Sequence, residues 1–500
     1  MCGLGGAPLD RNAIEWYYKN GIPGSGGMKA APVPGALSLC ITTVKLYGTM
    51  TFEQVVAPSL ELLDSGPERG PQDWHANLAV TFRKLIETEK GTPGSRRKKL
   101  QAARDRFYKG DIAEELVAFY VRNGGFLRKA DLAAHVTRVE DPVKVQYRGY
   151  TVCKCDTWTQ GPYLCQTLRL LEGFDLKTMG HLSADYIHVL TEALKLGFAD
   201  RDEYYGDPLF VDVPMEALLS DEYTEIRRPL IDMTKASTEI RPGDPVNMKA
   251  VKGRRTYRPG PAGTTTCVVA DRWGNLVAAT PSGNSPYAVC SELGVAHGNR
   301  LRSLNTTPGH PNRIEPGKRP RITLTPTIVL KDGKAVIAIS VAGGDLQDQT
   351  TPNCLLNHLE FGMMPKDAVT APRFSTGHQE NSFNPNPDRE KTLGTLASLT
   401  LDESVDENVR RKLANRGHKV IIASKPIAHP VMIYVDPNTG MIYAAGDPKA
   451  GRHAAARPLR PTTGPVGRLG GNQAIVHSKL FEVIATVVRS LYGISSSDTR

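Results

Sequence analysis

Residues 261–275 read PAGTTTCVVADRWGN, and two features of that stretch set the fold and the chemistry. TTTCVVA is β-branched and apolar, DRWGN is a turn containing Gly274, and LVAAT follows as a return strand, so a hairpin is predicted. The second feature is the bond before the first threonine. A threonine hydroxyl is a weak nucleophile without a base beside it, and one solution places the threonine at a chain N-terminus, where its own α-amino group takes the proton. An unperturbed α-amine titrates at about 7.7–8.0, which suits a general base. Gly263 has no side chain, which leaves the Gly263–Thr264 bond free to take strained dihedrals, so this bond is a candidate self-processing site. The competing reading is structural, since β-branched residues favour strands and a threonine triplet can simply start one.

Working outward, the return strand ends in TPSGN, which brings Ser282 and Asn284 close to the strand that begins at Thr264. A second hairpin is read in LTPTIVL, KDGK and AVIAISVA, with Asp332-Gly333 as its turn, and a third in VMIYV, DPNTG and MIYAA. Between these two, SVAGGDLQDQ sets Gly343 and Gly344 between a strand end and a helix N-terminus. Backbone N–H groups there face any developing negative charge, so an oxyanion hole competes with a plain tight turn as the reason for the glycine pair. The first half reads as helices: one opened by the capping box Thr51-Phe-Glu-Gln54, one in DIAEELVAFYVRNGG from Asp111, and one over 183–198. VKVQYRGYTVCKC (143–155) alternates like paired strands across Arg148-Gly149. Helices around mostly antiparallel strands predict a layered α/β or α+β protein with two sheets.

The chain has 500 residues, 40% hydrophobic and 23% charged, which is enough apolar material for a large core. Its longest apolar runs are strand-length and fall short of the roughly 20 residues of a membrane span. MCGLGGAPLD lacks the basic lead and apolar stretch of a secretory signal, so a cytoplasmic site is expected unless a leading segment is missing. Eight cysteines are scattered without Cys-x-x-Cys, which predicts reduced, mostly buried thiols, no structural metal and no cofactor. The net charge of +10 partly reflects SRRKKLQAARDR (95–106), read as a solvated helical face. A basic nucleic-acid-binding module is the weakest rival, because no aromatics or reading motif accompany that run.

With these residues assembled, the sequence resembles the γ-glutamyltransferase family of N-terminal nucleophile hydrolases. The motifs run in order from TTTCVVADRWGNLVAATPSGN through PGKRPRITLTPTIVLKDGK and AGGDLQDQ to APRF (371–374) and GDPKAGRHAAA (446–456). PVPGALS, YGTMTFEQVVAPSLELLDSG and FADRDEYYGDP are similar to the family's larger subunit. The resemblance covers about residues 1–456 as one domain and leaves 457–500 as an extension. It implies a four-layer αββα sandwich, autocatalytic cleavage into 1–263 and 264–500, and a heterodimer of those fragments acting on a small γ-glutamyl or amide substrate. No nucleic acid and no membrane are implied as partners. By position it implies Thr264 as nucleophile, Ser282 as the residue that hydrogen-bonds it, Asn284 and Thr323 as substrate contacts, and Gly343 with Gly344 as oxyanion hole. Thr266 stands where glutathione-hydrolysing members often carry histidine.

Departures from the family narrow the substrate. Where glutathione-specific members carry acidic and amide residues for the substrate's amine, GNRLRSLN places Arg300 and Ser303, which would repel an ammonium and suit a carboxylate. The segment before PGKRP is too short for the family's lid loop. These features resemble the subgroup that includes oxamate amidohydrolase, which acts on small anionic amides. The family also has helix and strand before GLGG and an arginine soon after it, whereas here Met1 nearly abuts Gly3-Leu-Gly-Gly6 and APLDRNA follows. The rival expectation from that departure is an inactive, truncated homologue.

Overall fold

The computed structural model describes residues 1–65, 73–252, 264–282 and 288–456. Its strands are β1 (Val143–Tyr147), β2 (Tyr150–Lys154), β3 (Cys267–Ala270), β4 (Leu276–Ala279), β5 (Ala288–Cys290), β6 (Val295–His297), β7 (Thr327–Lys331) and β8 (Lys334–Ala342). The remainder are β9 (Phe374–Ser375), β10 (Ser398–Asp402), β11 (Lys419–Ala423), β12 (His429–Val435) and β13 (Ile442–Gly446). The predicted hairpins all form. Arg148-Gly149 and Asp332-Gly333 carry positive φ at both central positions, which matches the twist of the strands they join.

The main sheet has the order β1-β2-β7-β8-β12-β13 and is antiparallel throughout. Strand alternation then dictates the layers. Ile337, Ile339 and Val341 of β8 pack with helices Pro162–Leu171, Ala184–Tyr204 and Gln347–Leu359. Ala338 faces the opposite way, with Ile328 and Ile433, onto Val268, Ala270, Leu276 and Ala278 of the β3–β4 hairpin. The reverse face of that hairpin, with Cys267, Val269, Val277 and Ala279, packs on the helices between Ala36 and Arg122. The result is helix, hairpin layer, sheet, helix: the αββα sandwich.

Thr51 and Gln54 form the predicted reciprocal capping box, each side chain meeting the other's backbone N–H at 3.2 and 3.0 Å. The helix expected over 183–198 instead runs Ala184–Tyr204. Its polar continuation Asp200-Arg201-Asp202 is buried because every one of these charges is paired there. All eight cysteines are unpaired thiols and seven are buried. No described helix is long and apolar enough to cross a membrane.

Candidate active site

The β3–β4 register, Cys267 opposite Ala279, continues outward through a hydrogen bond from Thr265 N–H to the Pro281 carbonyl at 3.0 Å. Thr264 therefore lies across the ribbon from Ser282. The hairpin is tied to the main sheet by Ser340 of β8, whose hydroxyl meets the Ala279 carbonyl and the Thr280 hydroxyl at 2.9 Å each. Three residues further on, β8 delivers Gly343 and Gly344. Gly263 and Asn284 lie outside the described residues.

The glycine turn is required by its geometry. Gly343 has φ 152° and Gly344 φ 60°, and a Cβ on Gly343 would sit 2.9 Å from the Cβ of Ala428. Ala428 is itself fixed: Arg373 of APRF donates to the neighbouring Ile427 carbonyl at 2.9 Å and pairs with Asp447 of GDPKAG. We predict that Gly343→Ala displaces the turn at a cost of about 1–3 kcal/mol of strain and lowers kcat by roughly 10²–10³-fold. A processed variant with wild-type kcat would exclude a role for the turn's N–H groups.

The two acidic side chains after the glycines are anchored. Asp345 accepts from Arg201 at 2.9 Å and from the Ser382 hydroxyl at 2.6 Å. Asp348 accepts from buried Lys154 at 2.7 Å, and Lys154 also donates to the Thr325 carbonyl and Thr327 hydroxyl. Two motifs far apart in the chain interlock around this turn: Asp202 and Asp207 of FADRDEYYGDP pair with Arg321 and Arg319 of PGKRPR, at 3.2 and 2.7 Å.

Gln347, which no local sequence pattern singles out, meets the Thr264 hydroxyl. With its amide nitrogen toward Thr264, its oxygen would face two carbonyls and no donor. In the opposite orientation the nitrogen donates to the Thr323 and Val341 carbonyls at 2.8 and 3.1 Å, and the oxygen accepts from Thr264 Oγ1 at 3.3 Å. That orientation satisfies every group.

Arg300 lies on the other side of Ser282. Its Nη2 donates to Ser282 Oγ, its guanidinium stands 5.1 Å from the centre of the Phe383 ring, and its Nε and Nη1 are buried without a partner among the described residues. Burial and the nearby Arg302 push its pKa down to about 10, so it stays a cation at neutral pH. Ser303 Oγ, Thr323 Oγ1 and Thr266 Oγ1 are likewise buried without partners among the described residues. Desolvated donors of this kind are costly in an empty site and are satisfied by a polar ligand.

Among the described residues one group has the makings of a metal site, His188, Glu192 and His418. The histidines already bond each other at 2.8 Å, and Lys195 and Arg241 contact the carboxylate at 2.6 and 3.5 Å, so the charge there opposes a cation.

Comparison with known proteins gives this geometry its family. Residues 7–457 match the gamma-glutamyltranspeptidase family. The chain belongs to that family. It is 32% identical over 436 residues to a glutathione hydrolase proenzyme of Pseudomonas sp. (strain A14), covering 77% of this chain and 73% of the relative. It is 29% identical over 419 residues to an acylase ACY 1 proenzyme of Pseudomonas sp. (strain SE83), covering 79% and 70%. The solved structure of LmbA2991HD superposes with a TM-score of 0.77 at 31% identity, covering 91% of this chain and 87% of that one. The gamma-glutamyltranspeptidase-family chain described above is thus an enzyme of the N-terminal nucleophile class, and its αββα sandwich is that of its relatives.

Proposed function

We propose that this chain cuts itself between Gly263 and Thr264 and then cleaves small amides through an acyl-enzyme on Thr264. The observation that carries the reading is the convergence on Thr264 of Ser282, directly across the hairpin, and of the turn Gly343-Gly344-Asp345-Leu346-Gln347, which ends on its hydroxyl. In the mature enzyme the α-amine of Thr264 accepts the hydroxyl proton as Oγ attacks the acyl carbon. The Gly343 and Gly344 N–H groups stabilise the oxyanion, the C–N bond breaks as the Thr264 amine passes the proton to the departing nitrogen, and water then hydrolyses the ester to release the acid and restore Thr264. The fragments stay together because β2 from the first pairs with β7 from the second, and the Asp202–Arg321 and Asp207–Arg319 pairs bridge the same division. Intact-mass analysis of the folded wild type is expected to find fragments of 263 and 237 residues in place of one 500-residue chain. A folded chain that never divides would exclude the proposal.

For the substrate, Arg300 favours a second, narrower reading within this one. A buried cation with two unpartnered N–H groups beside Ser282 suits a donor bearing a carboxylate close to its amide, as oxamate does, over one bearing an ammonium there. The γ-glutamyl reading and this one are separated by comparing turnover of a γ-glutamyl anilide with that of oxamate.

A further inference from the structure

We propose that Gln347 is the positioning residue of the nucleophile: it fixes the direction of the Thr264 hydroxyl, and through it the rate of both self-cleavage and turnover. The inference rests on Thr264 being the nucleophile and adds a residue to that reading. Gln347 is buried at the first turn of helix Gln347–Leu359, and its amide has no freedom to rotate. The Thr323 and Val341 carbonyls hold its nitrogen, and these belong to the segment leading into β7 and to β8. Its oxygen is left as a fixed acceptor aimed at Thr264.

A threonine hydroxyl that donates to a fixed acceptor has its lone pairs directed away from that acceptor, and its χ1 is restricted to the rotamer that makes the bond. An amide oxygen is too weak a base to take the proton, so Gln347 sets direction and leaves the transfer to other groups. In self-cleavage, Thr264 Oγ adds to the Gly263 carbonyl carbon and the bond from that carbon to the Thr264 nitrogen breaks. The hydroxyl proton ends on that nitrogen, and water hydrolyses the resulting ester. In turnover the same hydroxyl passes its proton to the freed amine and must be held in the same place to do so. The glycine turn and Gln347 belong to one rigid segment anchored by Asp345 and Asp348, so oxyanion donors and nucleophile are set against each other by a single element.

Two variants test this. Gln347→Met keeps the length of the side chain and removes the acceptor. It is expected to slow fragment formation and to lower kcat of the processed fraction by about 10- to 100-fold with KM little changed. Gln347→Glu is the conservative rescue. Ionised, it would press a carboxylate oxygen against two carbonyls, whereas protonated it donates to one of them and still accepts from Thr264. Its cleavage rate relative to wild type is therefore expected to approach one near pH 5 and to fall as pH rises, with the melting temperature falling in the same direction and the rates compared at a temperature where the variant is folded at every pH. A Gln347→Met protein that divides and turns over like wild type, or a Gln347→Glu ratio flat with pH, would overturn the inference. If Gln347→Met fails to fold, the Gln347→Glu ratio decides alone. Fragment formation in Thr264→Ala would instead sink the reading on which the inference rests.

Discussion

Thr264→Ala is expected to purify as one intact 54.5 kDa chain, with turnover lowered at least ~10³-fold, while its fold and melting temperature stay close to wild type. The size of the effect follows from the double use of one side chain. On the proposed chemistry the hydroxyl is the attacking group in self-cleavage, and only self-cleavage frees the amine that serves as base afterwards, so a single substitution removes both nucleophile and base. Stability is spared because Thr264 is only half-buried and its one described hydroxyl contact is the 3.3 Å bond to Gln347. Thr265→Ala is the control. Its main-chain bond to Pro281 survives the change and it owns no free amine, so cleavage is expected to continue. Thr264→Ser keeps both groups and should still divide. The pH dependence has a definite sign, because the amine acts only when unprotonated and kcat/KM should rise as pH climbs through its pKa. That pKa is expected below the unperturbed value of about 7.7–8.0, since the Arg300 cation lies just beyond Ser282. A Thr264→Ala protein that still divides or retains wild-type activity would exclude this chemistry.

The parts of this site that were legible in the sequence are those encoded locally. Asp332-Gly333 and Arg148-Gly149 announce their turns because two-residue hairpins demand positive φ, and the capping box at Thr51 announces a helix because both partners lie within one turn. The glycine pair before DLQDQ was readable for the same reason. What surrounds it was not. Asp345 finds Arg201 across 144 positions and Asp348 finds Lys154 across 194, so neither pairing leaves a periodic trace. The same distance hid the role of Gln347. A polar run such as DLQDQTT has the composition of a solvated helix start, yet Gln347, Asp348 and Gln349 are all buried, which partners distant in the chain make tolerable. Helix Ala184–Tyr204 extends past the Phe198 end that its apolar pattern predicts, because Asp200, Arg201 and Asp202 look like an exit to solvent until their buried partners are known.

Arg300→Met is expected to have two opposed effects, which together identify what Arg300 is for. Its guanidinium is almost wholly buried, and of its three nitrogens only Nη2 has a hydrogen-bond partner among the described residues. Phe383 offers its ring face, but Arg302 shares that ring and adds like charge. Holding such a cation out of water costs free energy that the fold does not recover by itself, so an apolar residue of similar length should leave stability unchanged or raise it by up to about 4 kcal/mol. For a chain of 500 residues each kcal/mol moves the melting temperature by only about 1 °C. Activity should move the other way. If the unpartnered Nε and Nη1 receive a carboxylate of the donor, removing them costs about 2–5 kcal/mol in kcat/KM, roughly 30- to several-thousand-fold, for oxamate-like donors and far less for neutral ones. Arg300→Lys keeps the charge but not the planar fork and should fall between. The kinetics are measured on processed enzyme, because Arg300 also positions Ser282. Loss of the cation should in addition raise the pKa of the Thr264 amine and shift the rising limb of the pH profile upward. A variant that melts lower and discriminates among donors as wild type does would mean that Arg300 braces Ser282 and takes no part in choosing the substrate.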